Sequence, residues 1–299
     1  MSTTMKTITS CAVSAVLPFL CAAAVSVDIR EPNALRKELS LERTVTMANG
    51  KASWGLSFRN VRAHNGKPRR FAFSANNGSG HNQSFTKVYD SHGVCGLIDG
   101  IKLTVNGIPW DRLQLRPNAL RQFTDGEAAG IEAHFNFDGA SVRFQTWLEP
   151  ESPLLKFEVA PLAESLRPVT GMVVHVSAIP SFLDYGPGKK TKFKGYRRQV
   201  RSDLRFYPPR PNERITLRGD ERLFALEDAD YDGSADGKGM GPSGIVLEEP
   251  CPANLGLNEW WTTDLRFSPA PSRPFRFSIL EFPTVRTSND DFFKALRSY

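Results

Sequence analysis

The sequence contains no P-loop, no glycine-rich dinucleotide fingerprint and no nucleophile elbow. Phosphate cradling, dinucleotide binding and hydrolase-type serine chemistry therefore lack their usual signatures. Histidine is sparse. His64, His81 and His92 fall in predicted loops without metal-ligand spacing, so a zinc centre is not expected. Only four cysteines occur in 299 residues. There is no internal repeat, no low-complexity linker and, beyond the N-terminus, no long apolar run.

Residues 1–26 read as a secretory signal peptide. Lys6 supplies the positive start. Ala12 to Ala24 form an apolar stretch broken by Ser14 and Pro18, and Ala22, Ala23, Ala24 and Ser26 offer small residues for cleavage. A membrane anchor needs roughly 20 apolar residues, more than this interrupted run provides. The expectation is a secreted or periplasmic protein whose mature part, 27–299, is a single domain without a transmembrane segment. Export removes Cys11 and Cys21. An oxidising compartment then either joins Cys95 and Cys251 or leaves them as two buried thiols. The formal charge of +6 is modest. Nucleic acid is not an expected partner outside the cell, whereas anionic glycans and surfaces are open.

What the chain does have is period-two alternation. In "GIEAHFNFDGASVRFQTWLEPESPLLKFEVAPL" (130–162), Ile131, Ala133, Phe135 and Phe137 point one way and Glu132, His134 and Asn136 the other. Asp138-Gly139 is a favoured two-residue hairpin turn. Val142, Phe144, Thr146 and Leu148 then face the core, opposite Arg143, Gln145, Trp147 and Glu149. Leu155, Phe157 and Val159 make a third inward row, with Lys156 and Glu158 facing away. Further strands are predicted at 52–61, 101–107, 169–179, 213–219, 244–249, 262–268 and 275–282, with long loops at 62–93 and 180–212. One helix is predicted near 289–298, with Ser288 or Asn289 as N-cap and Asp290 and Asp291 at its positive end. So many antiparallel strands predict an all-β protein, a large antiparallel β-sandwich ending in a short helix.

The run "VRFQTWLEPESPLLKFEVAPLAESLRPVTGMVVHVSAIPSF", with the later "GKGMGPSGIVLEEP" and "LRFSPAPSRPFRFSILEF", resembles the galactose-mutarotase-like super-sandwich. The resemblance implies carbohydrate handling, by sugar epimerases, polysaccharide-lyase β-domains or non-catalytic relatives. The epimerases place a histidine in an Asn-His-x-Tyr-Phe-Asn-like context and use a late glutamate base. Here His175 lies in "VVHVSAIPSF", without that context, and no catalytic residue is carried over.

Three surfaces are candidate sites. The Asp138-Gly139 register sets His134 opposite Arg143 and Glu132 opposite Gln145, with Trp147 further along the same face. An aromatic ring beside amide and guanidinium donors suits a sugar, although the same face can be plain solvated or covered surface. The cation across the ladder disfavours protonated His134. Second, "GKKTKFKGYRRQVRSDLR" (188–205) carries eight cations. Arg197 and Arg198 offer forks for sulfate or carboxylate; the alternative is a solvated loop or one paired with acids such as 227–236. Third, Asp228, Asp230, Asp232 and Gly233 match the start of an EF-hand-type loop, with Asp236 at the ninth position but Gly239 at the twelfth. Ca²⁺ is thus the one candidate cofactor, against a turn-rich acidic loop. Trp260 and Trp261 point to opposite faces of one predicted strand, and Asn77-Gly78-Ser79 and Asn82-Gln83-Ser84 are glycosylation sequons.

The resulting expectation is an exported carbohydrate-binding module that performs no chemistry. The alternatives are an epimerase-like or lyase-like enzyme using His134 or His175, or a structural surface domain.

Overall fold

The computed structural model describes residues 24–30, 41–61, 70–77, 98–110, 113, 120–178, 183–184, 192–193, 198–208, 213–229, 242–257, 263–281 and 288–299. The first strands are β1 (Ser26–Arg30), β2 (Leu41–Ala48), β3 (Ser53–Val61), β4 (Arg70–Asn77), β5 (Ile98–Val105), β6 (Ile108–Pro109) and β7 (Leu120–Asp125). There follow β8 (Ala128–Phe137), β9 (Ala140–Leu148), β10 (Leu155–Pro161), β11 (Met172–Ala178), β12 (Leu183–Asp184), β13 (Lys192–Phe193) and β14 (Arg198–Ser202). The last are β15 (Phe206–Tyr207), β16 (Arg214–Thr216), β17 (Leu223–Asp228), β18 (Ser243–Leu247), β19 (Ala253–Leu257), β20 (Thr263–Phe267) and β21 (Phe275–Glu281), before helix α1 (Asn289–Leu296).

Two large antiparallel sheets pack face to face. The ten-stranded sheet runs β1-β2-β3-β4-β5-β11-β20-β19-β16 with β6 beside β5. The nine-stranded sheet runs β15-β14-β17-β18-β21-β10-β9-β8-β7, and β12 pairs with β13 apart. The predicted all-β sandwich with a short C-terminal helix is thus the fold. Its core interleaves the inward rows of both sheets, with Trp54, Phe58, Phe137, Phe144, Phe157, Phe224, Phe267 and Phe277 all buried. Trp110, from the chain after β6, inserts between Phe135 and Phe144 at ring distances of 5.5 and 5.8 Å.

The hairpin at Asp138-Gly139 forms with the predicted register. Phe137 pairs with Ala140, His134 with Arg143 and Glu132 with Gln145. Both turn residues have positive φ, 53° and 94°, the type I′ pattern whose twist matches the strands. Asn136 accepts the Gly139 N–H at 2.9 Å, and Arg167 donates to Asp138 at 2.7 Å. Asn106-Gly107 makes a second such turn between β5 and β6. Phe135 and Phe144 are buried, at 4% and 1% exposure.

The long loops need correction. The stretch 62–93 contains β4, and 180–212 contains β12 to β15. β12, β13 and β15 have two residues each, too short for alternation to reveal, whereas β4 does carry an alternation of Phe71, Phe73 and Ala75 that the loop expectation passed over. Helix α1 is capped by Ser288, whose hydroxyl accepts from the Asp291 N–H. Phe292 and Leu296 bury against Leu154, Leu223, Ala225 and Leu280 on the outer face of the nine-stranded sheet. Gly244 makes this possible, since a Cβ there would meet Leu296 Cδ2 at 2.9 Å.

Candidate functional site

The outward face of β7 to β10 carries the residues singled out by the hairpin register. Trp147 on β9 sits opposite Gly130 on β8, and Gly130 opposite Phe123 on β7. The glycine leaves room for the indole to reach across and meet Phe123 edge to face, at 6.4 Å. Both rings are half-buried and together form a continuous apolar shelf. Trp147 is therefore less open than a lone surface tryptophan. Phe123 escaped the sequence reading because β7 is short and mostly polar.

Beside the shelf the polar groups are mutually engaged. Glu132 accepts from Gln145 Nε2 at 2.7 Å and lies 2.9 Å from His134 Nε2. The group nearest the His134 ring is thus this carboxylate. Arg143, expected across the ladder, instead turns to Glu158 at 2.6 Å. Glu158 also accepts from Arg276 Nε at 2.7 Å. It faces away from the core as predicted, yet is almost wholly buried because the two guanidiniums cover it. Burial would raise its pKa, but the hydrogen bonds from Arg143 and Arg276 outweigh burial and hold the carboxyl below its ordinary value. Lys156 is tied to Glu149 at 2.5 Å. Glu132, Gln145, Lys156 and Glu158 thus have fixed directions before any ligand arrives, the condition for a preorganised polar site, whereas Arg143 Nε is buried without a hydrogen-bond partner.

The basic segment separates into two parts. Arg197 lies outside the described residues, and only the backbone of Arg198 is described, paired with Asp228 in the ladder. Arg201 and Arg205 are structural. Arg201 Nε donates to both oxygens of fully buried Glu227 at 2.8 Å, and Nη1 reaches Asp290 at the start of α1. Burial pushes Glu227 upward, and its bonds from Arg201 and Gln199 pull it only part of the way back. Arg205 forks onto Asp220 at 2.8 and 2.9 Å and lies 3.1 Å from buried Glu221. Glu221 also accepts from Tyr207 and Ser202. Burial and that carboxylate push the Tyr207 phenol up to about 12.

His175, on the outer face of the ten-stranded sheet, lies 3.0 Å from Asp264 Oδ1 on β20. The contact is off the hydrogen-bond direction, so the buried Nε2 has no hydrogen-bond partner. Ser177 Oγ donates to the same Asp264 oxygen at 2.6 Å. Asp264 and Ser177 gave no sequence signal, since only strand pairing brings β20 beside β11.

Of the acidic loop, Asp228 ends β17, whereas Asp230, Asp232 and Asp236 lie outside the described residues. Among the described residues no group of three metal-ligating side chains occurs. Cys95, Trp260 and Trp261 also lie outside them. Cys251 is a free buried thiol, pushed up to about 11 by burial. No helix among the described residues is long and apolar enough to cross a membrane.

No protein family matches the sequence, and no curated protein does. Solved structures with similar architecture are carbohydrate-active enzymes. An α-N-acetylgalactosaminidase from Bifidobacterium bifidum, in complex with GalNAc, is 12% identical with a TM-score of 0.46 over 91% of this chain and 37% of its own. A chondroitinase AC lyase is 10% identical with a TM-score of 0.44, over 86% and 37%. An α-galactosidase from Lactobacillus brevis is 12% identical with a TM-score of 0.37, over 79% and 39%. The chain spans well under half the length of each, and at these scores none lends this chain a residue role.

Proposed function

We propose that the protein is an exported carbohydrate-binding β-sandwich, and that the outward face of β7 to β10 is its binding surface. The observation that carries this reading is the Phe123–Trp147 shelf across Gly130, bordered by Glu132, His134, Arg143 and Gln145. The apolar face of a pyranose stacks on such rings, while its hydroxyls exchange hydrogen bonds with amide and carboxylate groups already held in place. The charges near the shelf are balanced: Glu132, Glu149 and Glu158 stand against Arg143, Lys156 and Arg276. This balance suits a neutral sugar better than an anionic one. A glycan array probed with residues 27–299 tests the proposal. Binding to neutral glycans that is lost in Trp147→Ala supports it; no bound glycan removes it and leaves the structural reading.

The enzyme reading has one observation in its favour, the contact of His175 with Asp264. It requires turnover. Mutarotation and lyase assays on the array hits, with His175→Ala as control, decide it.

A further inference from the structure

The outer face of the ten-stranded sheet carries a second feature, distinct in chemistry from the stacking face. Lys102 on β5, His175 on β11 and Arg266 on β20 stand directly opposite one another across three strands. In the adjacent row Ser177 and Asp264 are flanked by Gly100 and Gly256, and Arg214 on β16 follows Gly256. Lys102, Arg266 and Arg214 are exposed, and among the described residues none has a hydrogen-bond or ion-pair partner. On the other sheet, by contrast, Arg143, Arg201, Arg205 and Arg276 each sit on a carboxylate.

Lys102 and Arg266 flank His175 from either side, and among the described residues no carboxylate stands in that row to neutralise them. Asp264 is the one carboxylate in these two rows, and it already receives the Ser177 hydroxyl. The buried Nε2 of His175 has no hydrogen-bond partner. Among the described residues a Cβ on Gly256 would meet nothing nearer than Asp264 Cβ at 3.8 Å, so they leave the floor between Asp264 and Arg214 open.

Strand spacing sets the scale. Lys102 and Arg266 are two strands apart, about 10 Å at the backbone, a gap that two long side chains close around one oxyanion. Arg214 lies two strands beyond Arg266, about 10 Å further, and serves a second charge. The ligand therefore repeats its charge along its length. Asp264 would repel a densely charged phosphate polymer, whereas a carboxylate beside the cations is an acceptor suited to sugar hydroxyl groups. Exposed Asn254 and Thr216, hydrogen-bonded to each other at 3.1 Å, continue the Lys102 row with neutral polar groups.

We propose that these two rows bind a polysaccharide bearing carboxylate or sulfate groups, with Lys102 and Arg266 holding one anionic group and Arg214 the next. The site is independent of the stacking face. Binding of residues 27–299 to dextran sulfate and to polygalacturonate is measured by calorimetry, with dextran, inorganic sulfate and duplex DNA as comparisons. The expected result is that at least one anionic polysaccharide binds. The triple variant Lys102→Ala, Arg214→Ala, Arg266→Ala should then weaken it by at least about tenfold and flatten its salt dependence, while Arg273→Ala, which removes an exposed cation outside these rows, leaves it unchanged. The three side chains are exposed, so an unchanged melting temperature verifies the fold of the variant. The proposal is overturned if the triple variant binds like the parent, or if neither polymer binds. It is equally overturned if Arg273→Ala weakens binding as much, if free sulfate binds as tightly as the polymer, or if DNA binds more tightly than either.

Discussion

Trp147 meets Phe123 edge to face across Gly130, their ring centroids 6.4 Å apart. The absence of a side chain at residue 130 is what lets the indole lie there. A Cβ at that position would approach Trp147 Cβ to 2.6 Å and also collide with the Thr146 carbonyl. Gly130→Ala should therefore destabilise the protein by about 1–3 kcal/mol and displace the indole. Urea unfolding reads the first effect and tryptophan fluorescence the second. An alanine variant as stable as the parent, with unchanged emission, would contradict the packing.

Glu158 makes stability depend on pH with a definite sign. Burial opposes its charge, but the bonds from Arg143 and Arg276 prevail and lower its pKa on folding. The folded protein thus binds fewer protons here than the unfolded chain. The stabilisation is complete above the ordinary glutamate range near roughly 4.3, and it is lost as pH falls through the lowered folded value. Glu158→Gln should flatten this acid limb. It should also cost on the order of 2 kcal/mol at pH 7, less than a wholly buried pair because Arg276 is half-exposed. Denaturant titrations at pH 7 and pH 4 check both; equal losses at the two pH values would exclude this role.

Tyr207 donates to fully buried Glu221, whose Oε2 has no hydrogen-bond partner. Removing the phenol hydroxyl deprives a buried carboxylate of a donor. Tyr207→Phe should lower stability by about 1–3 kcal/mol, while Tyr299→Phe, at an exposed phenol, serves as the comparison expected to do less. Equal, small effects in both would show that the phenol does not support Glu221.

The acidic loop remains a calcium proposal. If Asp228, Asp230, Asp232 and Asp236 bind Ca²⁺, millimolar calcium should raise the melting temperature and EDTA should reverse the rise, because a ligand specific to the folded state stabilises it. Asp230→Ala should abolish the response. No shift in the parent protein would make 227–237 a turn-rich acidic loop and nothing more.

The hairpin at Asp138-Gly139 was legible because three signals coincide there: alternation on both sides, a turn pair that favours positive φ, and aromatic residues on the inward face. Helix α1 was legible from Ser288 and the acidic first turn. Strands β7 and β14 were not, since each is short and its burial is set by neighbours distant in the chain. The site shows the same division. Register from one turn places His134, Arg143, Gln145 and Trp147 on one face. It does not reveal that Glu158 captures Arg143, because Arg276 arrives 118 residues after Glu158. For the basic segment, the alternative of pairing with acids such as 227–236 is what Arg201 does, on buried Glu227 of β17, whereas Arg205 is held by buried Glu221 in the chain before β17, which the sequence did not reveal.

The central claim, that the Phe123–Trp147 shelf binds carbohydrate, is tested most directly by calorimetric titration of the best neutral glycan from the array into the parent and Trp147→Ala proteins. The titration is run at low and high salt. Stacking does not depend on ionic screening, whereas contacts between exposed charges weaken as salt rises. The account predicts that Trp147→Ala weakens binding by about tenfold or more at both salt concentrations, while replacement of Arg197 and Arg198 by Ala leaves it unchanged. Equal affinity of Trp147→Ala and the parent would contradict the account.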